Sequence, residues 1–288
     1  MHQHDSYTIC HLECVSPTRI FNGGILSAFK GNIEGAERTN FDDSKWTLVS
    51  LPNGIETLPI EASGCINYQG EVWYRKHFTP EEKWKGKRTF LHFEAIMGKS
   101  KVWINGTLVK EHFGGFLPVI ADVTEYLNYG QDNIIAVWAD NSDDPSYPPG
   151  KQQDMLDFTY FGGIYRDCWM IVHNDVFITD PNYENETASG GLFVSFNNVS
   201  EKSADVRLDI HIRNMSEKKF SGKIEYKLYD KNGKEVKTIE KNISVAKNKA
   251  RATTADMKLD SPHLWEPDSP LSLPAYWSKQ TSGFCCRR

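Results

Sequence analysis

Residues 71–78 read EVWYRKHF, and in an extended chain their side chains point alternately to two opposite faces. One face carries Val72, Tyr74, Lys76 and Phe78, and the other carries Trp73, Arg75 and His77. A period of two with several β-branched and aromatic residues predicts a β-strand, because successive side chains of a strand alternate across the sheet. This stretch therefore points to an all-β fold.

The same period of two recurs along most of the chain, whereas convincing helical periodicity is scarce. Asn105-Gly106 stands between two β-rich runs, residues 101–104 and 107–112. This dipeptide predicts a tight hairpin, because both central residues of such a turn need a positive φ angle. Further strands are predicted at residues 88–94, 133–139 and 164–172. We expect an antiparallel sandwich with long loops up to about residue 175.

A second block of short strands follows a polar junction at residues 175–191. Five strands are predicted, at residues 192–196, 204–212, 222–229, 235–245 and 250–259. Short strands at this spacing, with turn signals between them, are typical of an immunoglobulin-like sandwich of about 100 residues. Residues 271–288 fit neither pattern.

Composition excludes several classes of protein. The chain carries 33 Lys and Arg against 38 Asp and Glu, a net charge of -5, and lacks the basic balance of a nucleic-acid binder. No run of about 18 apolar residues predicts a membrane span, so neither nucleic acid nor a membrane is an expected partner. The first 21 residues lack the apolar core of a secretory signal. The cellular compartment stays unassigned. The cytoplasm is the default expectation, and a periplasmic or secreted parent enzyme is also compatible with the sequence.

Cysteine and histidine spacing predicts no disulfide framework and no metal site. The six cysteines are scattered, with an adjacent pair at Cys285-Cys286. Five potential ligands gather near the N-terminus, but their spacing is a weak match to zinc sites, which need four fixed ligands: His2, His4, Cys10, His11 and Cys14. No cofactor is predicted from this pattern.

Motifs for catalysis are also absent from the sequence. There is no nucleophile elbow, phosphate-binding loop, dinucleotide fingerprint or zinc-protease helix. Glycoside hydrolysis needs two carboxylates facing each other across a sugar. Asn185-Glu186 matches the local acid/base signature of many glycosidases, but it lies in the polar junction and is interpreted as a solvated linker acid.

Asp157 opens the most informative stretch, residues 157–167, where an aromatic run turns at Gly162-Gly163 into a strand. Aromatic faces cover the C–H face of a sugar, and a carboxylate accepts hydrogen bonds from two hydroxyls. Two interpretations stay open on chemistry alone. Asp157 either binds a sugar, or caps the loop while the aromatic residues fill the core.

An ordered set of motifs resembles the N-terminal part of glycoside hydrolase family 2, the β-galactosidase, β-glucuronidase and β-mannosidase family. They are LPNGIE (51–56), NYQGEVWYRKHF (67–78), VWING (102–106), EHFGGFLP (111–118), ADVT (121–124) and DFTYFGGIYRD (157–167). Residues 176–270 resemble the immunoglobulin-like domain that follows, with SPHLWEPDSP (261–270) before its last strand.

The resemblance implies a jelly-roll, galactose-binding-like sandwich, then an immunoglobulin-like sandwich, then a TIM barrel with both catalytic glutamates. By motif position, Asp157 is the aspartate that reaches into the barrel's active site and binds sugar hydroxyls at the cleavage point. In some β-galactosidases this aspartate lies beside a monovalent cation, which here is expected only in a full enzyme. Arg166 and Asp167 match a pair interpreted as structural, an ion pair or loop clamp. Asn53 replaces the family's usual histidine and receives no role.

We expect four segments: an irregular tail (1–20), the jelly-roll sugar-binding domain (21–175), the immunoglobulin-like domain (176–271) and an aberrant tail (272–288). The barrel pattern does not follow, which suggests a frameshift or aberrant gene end; unrelated neighbouring DNA would contradict this. The expected function is the non-catalytic part of a β-galactosidase-like hydrolase that recognises a β-linked, galactoside-like carbohydrate. The alternatives are a stand-alone carbohydrate-binding module and an adhesion module without a sugar role. Self-association is expected through the surface that would face a barrel.

Overall fold

The computed structural model describes residues 26–56, 67–158, 160–187, 190–229, 234–262 and 264, together with the backbone of residues 14–19. Backbone contacts divide the chain into two compact units. The first is Pro17–Val172, and the second combines His173–Arg288 with Met1–Ser16. Among the described residues, no helix has the length and apolar character needed to cross a membrane.

The first unit is a sandwich of two antiparallel sheets built from ten strands. In chain order these are β1 (Cys14–Arg19), β2 (Leu26–Lys30), β3 (Thr47–Val49), β4 (Glu71–Phe78), β5 (Arg88–Phe93), β6 (Lys99–Ile104), β7 (Thr107–Phe113), β8 (Val119–Asp122), β9 (Asn133–Asp140) and β10 (Cys168–His173). One sheet has the order β3-β2-β4-β9-β6-β7, and the other β1-β10-β5-β8. The all-β prediction is confirmed.

The predicted hairpin at Asn105-Gly106 is confirmed and joins β6 to β7. The φ angles of Asn105 and Gly106 are 50° and 82°, so both central residues occupy the left-handed region that this tight turn requires. The Asn105 side chain also accepts a hydrogen bond from the backbone N–H of Ile134 at 2.9 Å. The turn is therefore tied to β9 as well as to its own two strands.

Strand β4 lies inside the six-stranded sheet and is buried on both faces. Val72 and Tyr74, which the alternation places on one face, are both buried. The opposite face is covered too, because residues 31–46 fold over it and place Trp46 against Trp73. This cover explains why Arg75, a charged residue in the middle of a strand, has almost no exposed surface.

Arg75 is held by a dense set of contacts with the covering segment. Its guanidinium donates hydrogen bonds to the carbonyl oxygens of Ala36, Arg38 and Phe41. Its Nε lies 3.4 Å from Oδ2 of Asp43, close enough for an ion pair. Buried charges of this kind persist only where they are paired and hydrogen-bonded. Arg75 therefore fixes residues 36–43 to the sheet.

The second unit contains six strands and one short helix. They are β11 (Val176–Ile178), α1 (Pro181–Glu184), β12 (Leu192–Asn197), β13 (Ser203–Asn214), β14 (Phe220–Tyr229), β15 (Glu235–Val245) and β16 (Lys249–Asp260). Strand β13 pairs with β11, β12 and β16, while β14 and β15 form a second sheet. All five strands predicted for this block are present, and their alternating apolar residues form one core.

The segment expected to be a plain junction carries regular structure. The side chain of Asp180 accepts hydrogen bonds from the N–H groups of Asn182 and Tyr183, and Pro181 occupies the first position of α1. This is the expected chemistry of a helix N-terminus. Glu184, nearly buried, pairs with the guanidinium of Arg213. The polar composition of this segment gave no helical pattern, so the single turn of α1 was not predicted.

Candidate functional site

Asp157 lies on the long loop that connects β9 to β10, and its side chain is exposed to solvent. A short 3₁₀ turn, Gln153–Met155, precedes it, and the buried Tyr160 follows it. An exposed carboxylate on a loop is useful for binding only if the loop backbone is fixed. The contacts on either side of Asp157 therefore decide whether it can act as a site.

Asn67 clamps this loop on both sides of Asp157. The backbone N–H of Asn67 donates to Oε1 of Gln153 at 2.7 Å, and Nε2 of Gln153 donates back to Oδ1 of Asn67 at 3.3 Å. Nδ2 of Asn67 donates to the carbonyl oxygen of Tyr160 at 2.5 Å. Asn67, Gln153 and Tyr160 are all buried. Asp157 is thus held between two anchored points on a solvated segment.

Asp143 adds a second layer to this clamp. Its Oδ1 accepts from the backbone N–H of Gln153 at 3.1 Å and from Nε2 of Gln69 at 2.6 Å. Sequence reasoning did not assign a role to Asn67, Gln69 or Gln153. The NYQG motif that supports the family resemblance contained two of these residues, and it is the signal that could have revealed them.

Asn53 has a structural role at the same end of the unit. Its backbone N–H donates to the carbonyl oxygen of Ile164 at 2.8 Å, and its Oδ1 accepts from the hydroxyl of Tyr74 at 2.9 Å. Burial raises the pKa of the Tyr74 hydroxyl well above its ordinary value, so Tyr74 stays protonated and can donate. Gly163, with a φ angle of +77°, passes directly over this hydroxyl.

The segment after Gly163 is tied to a second loop, which connects β7 to β8. The hydroxyl of Tyr165 donates to the carbonyl oxygen of Gly115 at 2.6 Å, and the guanidinium of Arg166 lies 5.6 Å from the centre of the Tyr165 ring. The backbone carbonyl of Asp167 accepts from the N–H of Glu94 at 3.0 Å. Arg166 and Asp167 thus flank a fixed backbone; the ion pair between them stays a prediction.

Exposed apolar side chains accompany Asp157 on these loops. Met155, Phe158 and Phe161 lie on its own loop, and Phe113, Phe116 and Leu117 lie at or just after the end of β7. Aromatic rings on the same loop as a carboxylate supply both kinds of group that a sugar needs, a flat apolar face and a charged acceptor. We refer to these six side chains as the apolar loop surface.

Metal ligands do not gather near this surface in the described residues. Within the part of the chain that the structure describes, no group of three or more His, Cys, Asp or Glu side chains is placed to hold a metal ion. The N-terminal His and Cys side chains considered from sequence lie outside that part. Asn185 ends α1 with a φ angle of 52°, and Glu186 is exposed beside it, which fits a solvated acid.

Family comparisons account for most of the chain. The sugar-binding domain of glycosyl hydrolases family 2 matches residues 36–174, and a second model of glycosyl hydrolases family 2 matches residues 191–271. The first match contains the clamp, Asp157 and the apolar loop surface. The second contains strands β12 to β16.

Individual relatives agree with the family models. A β-galactosidase of Thermoanaerobacter pseudethanolicus is 32% identical over 240 residues, which cover 83% of this chain and 30% of that protein. A β-glucuronidase of Formosa agariphila is 30% identical and covers 82% of this chain and 25% of that protein. The chain thus spans less than a third of the length of these relatives.

A solved structure shows the same fold. Bacteroides uniformis β-glucuronidase 2, covalently bound to cyclophellitol-6-carboxylate aziridine, matches with a TM-score of 0.74 and 28% sequence identity. The match covers 90% of this chain and 29% of that one. The chain therefore belongs to glycoside hydrolase family 2, and what it contains is the family's jelly-roll sugar-binding domain followed by its immunoglobulin-like domain.

Proposed function

We propose that this chain forms the non-catalytic, sugar-binding part of a β-galactosidase-like glycoside hydrolase, in which Asp157 binds hydroxyls of the sugar at the cleavage point. The observation that carries the proposal is the clamp. Asn67 binds the side chain of Gln153 and the backbone carbonyl of Tyr160, so Asp157 between them is an exposed carboxylate on an anchored loop. The names of the relatives support a β-linked sugar.

Asp157 contributes binding rather than bond cleavage in this proposal. An ionised carboxylate accepts two charge-assisted hydrogen bonds from neighbouring sugar hydroxyls, and each is about twice as strong as a neutral one. Phe158 and Phe161 lie on the same loop and offer apolar faces to the sugar ring. In a complete enzyme, Asp157 would help to hold a monovalent cation, which would supply positive charge beside the sugar; no step of the proposal depends on it.

The isolated chain is expected to show no turnover of nitrophenyl-β-galactoside. Hydrolysis requires a general acid and a second carboxylate about 5–10 Å apart on either side of the glycosidic bond. In the proposal, Asp157 is neither of these two groups. Colorimetric assay of the purified chain checks this. Turnover that is abolished by changing one of its own carboxylates would contradict the proposal.

The role of Asp157 is measurable in a chimera in which this chain replaces the matching segment of the T. pseudethanolicus β-galactosidase. Asp157→Asn is expected to lower kcat/KM about 10- to 100-fold, the size of a lost charged hydrogen bond. Asp154→Asn, an exposed acid on the same loop, is the matched control and should change it less than about twofold. Equal kinetics for both variants would contradict the assignment.

The alternative of a stand-alone carbohydrate-binding module predicts a different result. Calorimetry of the chain with a β-galactoside would then show binding that Asp157→Asn removes. The main proposal expects no measurable heat, because an open surface with few contacts does not repay the entropy lost on binding. Measurable binding would therefore indicate a stand-alone module, and its absence would indicate that this chain forms only part of a larger sugar site.

We also propose that the apolar loop surface mediates self-association of the chain. Each of the six side chains is exposed, and exposed apolar side chains that gather in one patch mark interaction sites in soluble proteins. Sedimentation equilibrium is expected to show dimers or larger species that weaken when Phe158 and Leu117 are both changed to serine. Leu48→Ser, an exposed leucine on β3, is the control and should leave the association unchanged. A monodisperse monomer at high concentration would contradict this proposal.

A further inference from the structure

Three tryptophans gather on the face of the six-stranded sheet that carries Arg75. Trp73 of β4 lies directly opposite Trp138 of β9, and Trp103 of β6 lies opposite Ala136 of β9. Because Ala136 is small, the ring of Trp103 reaches over it and stacks on the ring of Trp73, with 5.3 Å between the ring centres and 25° between the planes. We refer to Trp73, Trp103 and Trp138 as the indole surface.

The indole surface extends beyond the segment that covers this face of the sheet. Trp73 packs against Trp46 of that segment and is only 6% exposed. Trp103 and Trp138 pack against the same cluster, but each keeps part of its side chain in contact with solvent. Two indoles therefore offer apolar surface to a ligand, while their other contacts hold them in place.

Polar groups border the indole surface. Nε1 of Trp138 donates to Oε2 of Glu71 at 2.9 Å, which orients the ring on the sheet. Nζ of Lys101 lies 5.9 Å from the centre of the same ring and 3.1 Å from Oε1 of Glu111. A carboxylate has about four acceptor positions and an ammonium group three donors. Glu71, Lys101 and Glu111 thus keep hydrogen-bonding capacity beside the exposed indoles.

The charges of these groups determine which class of ligand fits. Lys99 pairs with Asp144 at 2.8 Å and Lys101 pairs with Glu111, so each lysine already has an acidic partner. Glu71 adds a further carboxylate. An anionic ligand would meet like charges here, and like-charge contacts disfavour binding. A neutral ligand that carries many hydroxyls can use the same groups as donors and acceptors.

We propose that the indole surface binds a neutral, extended β-1,4-linked oligosaccharide, and that this binding does not involve Asp157. The indoles would cover the C–H faces of the sugar rings, while Glu71, Lys101 and Glu111 exchange hydrogen bonds with the hydroxyls. Neighbouring strands lie about 4.8 Å apart, so the row from β4 through β9 and β6 to β7 spans about 14 Å, enough for about three linked rings. A single sugar touches too little of this surface to bind measurably.

The indole N–H signals of the unmodified chain test the proposal directly by nuclear magnetic resonance. During titration with cellotetraose to about 10 mM, the Nε1–H signal of Trp138 is expected to move progressively. Trp169 of β10 is the internal control, because its Nε1 also donates to a glutamate, Glu94, at 2.9 Å. Its signal should stay in place. A stationary Trp138 signal, or equal movement of both signals, would overturn the proposal.

Asp157→Asn distinguishes this surface from the site of the proposed function. The titration of the Trp138 signal is expected to give the same affinity in this variant, within about twofold. Loss of the response would place the sugar at the loop of Asp157 and overturn the present inference, whereas the role of Asp157 would stand.

A charged ligand tests the class of sugar. A tetramer of β-1,4-linked glucuronic acid has the linkage of cellotetraose but carries a carboxylate on every ring. It is expected to bind at least about tenfold more weakly, because its charges meet Glu71 and Glu111. Equal affinity for the two tetramers would contradict the assignment to a neutral ligand.

A matched pair of variants tests whether the indole itself carries the binding. Trp138→Ala is expected to weaken retention in gels that contain hydroxyethylcellulose about tenfold or more, and Trp169→Ala less than about twofold. Each variant loses an indole that donates to a glutamate. The remaining indole signals report whether the unit stays folded. Equal effects of the two variants would overturn the proposal; if Trp138→Ala unfolds the unit, the titration of the unmodified chain decides.

Discussion

Replacing Arg75 by methionine is expected to lower the free energy of unfolding of the first unit by about 3–5 kcal/mol. The change removes the guanidinium beside the largely buried carboxylate of Asp43, which then keeps only the Nε2 of His77, 3.5 Å away. It also removes the donors to the carbonyl oxygens of Ala36, Arg38 and Phe41. Burial lowers the pKa of Arg75 and nearby Asp43 opposes this, but a guanidinium stays charged in either case.

Denaturation with urea, followed by the fluorescence of the tryptophans, measures this effect. Arg38→Met is the matched control, because it removes an arginine of the same covering segment whose side chain is mostly exposed. Its effect should stay within about 0.5 kcal/mol. If the two variants were equally stable, Arg75 would not be the residue that fixes residues 36–43 to the sheet.

Replacing Gly163 by alanine is expected to destabilise the first unit by about 3–4 kcal/mol and to displace the loop of Asp157. A Cβ on Gly163 would lie 2.1 Å from the hydroxyl oxygen of Tyr74 and 2.9 Å from Cγ1 of Ile55. The hydroxyl would have to move away from Asn53, which costs a buried hydrogen bond of about 1–3 kcal/mol. The left-handed backbone of position 163 adds about 1–2 kcal/mol.

Gly86→Ala is a control that separates the two costs. Gly86 has almost the same φ angle, +73° against +77°, but nothing lies within 4 Å of its added Cβ. It should therefore show only the backbone cost, about 1–2 kcal/mol. Urea denaturation of both variants gives the difference. Equal losses would mean that the contact with Tyr74 tolerates a methyl group.

Much of the architecture was predictable from local pattern. The alternation in β4, the Asn105-Gly106 turn and the five strands of the second unit are short-range signals, and each appears where it was expected. They depend on the chemistry of a few consecutive residues, which a sequence displays directly. The sugar-binding candidate Asp157 came from a motif of this kind, and its role stays a prediction.

The parts that sequence could not supply depend on residues distant along the chain. The alternation in β4 did not predict that Arg75 is buried, because nothing local shows that residues 36–43 cover its face of the sheet. The role of Asn53 depends on Tyr74, a partner twenty-one positions away. A buried partner of this kind is chosen by packing, and packing is known only once the sheets are assembled.

The clamp at Asn67 has a consequence for the order of folding. Asn67 and Gln153 are 86 positions apart, and the contact to Tyr160 spans 93. The pairing of β1 with β10 closes a still longer loop, so the sandwich and the clamp depend on contacts of the same long-range kind. Closing loops of this size costs chain entropy that only many such contacts together repay. We therefore expect the loop that carries Asp157 to become fixed only when both sheets have assembled, and not as an independent unit.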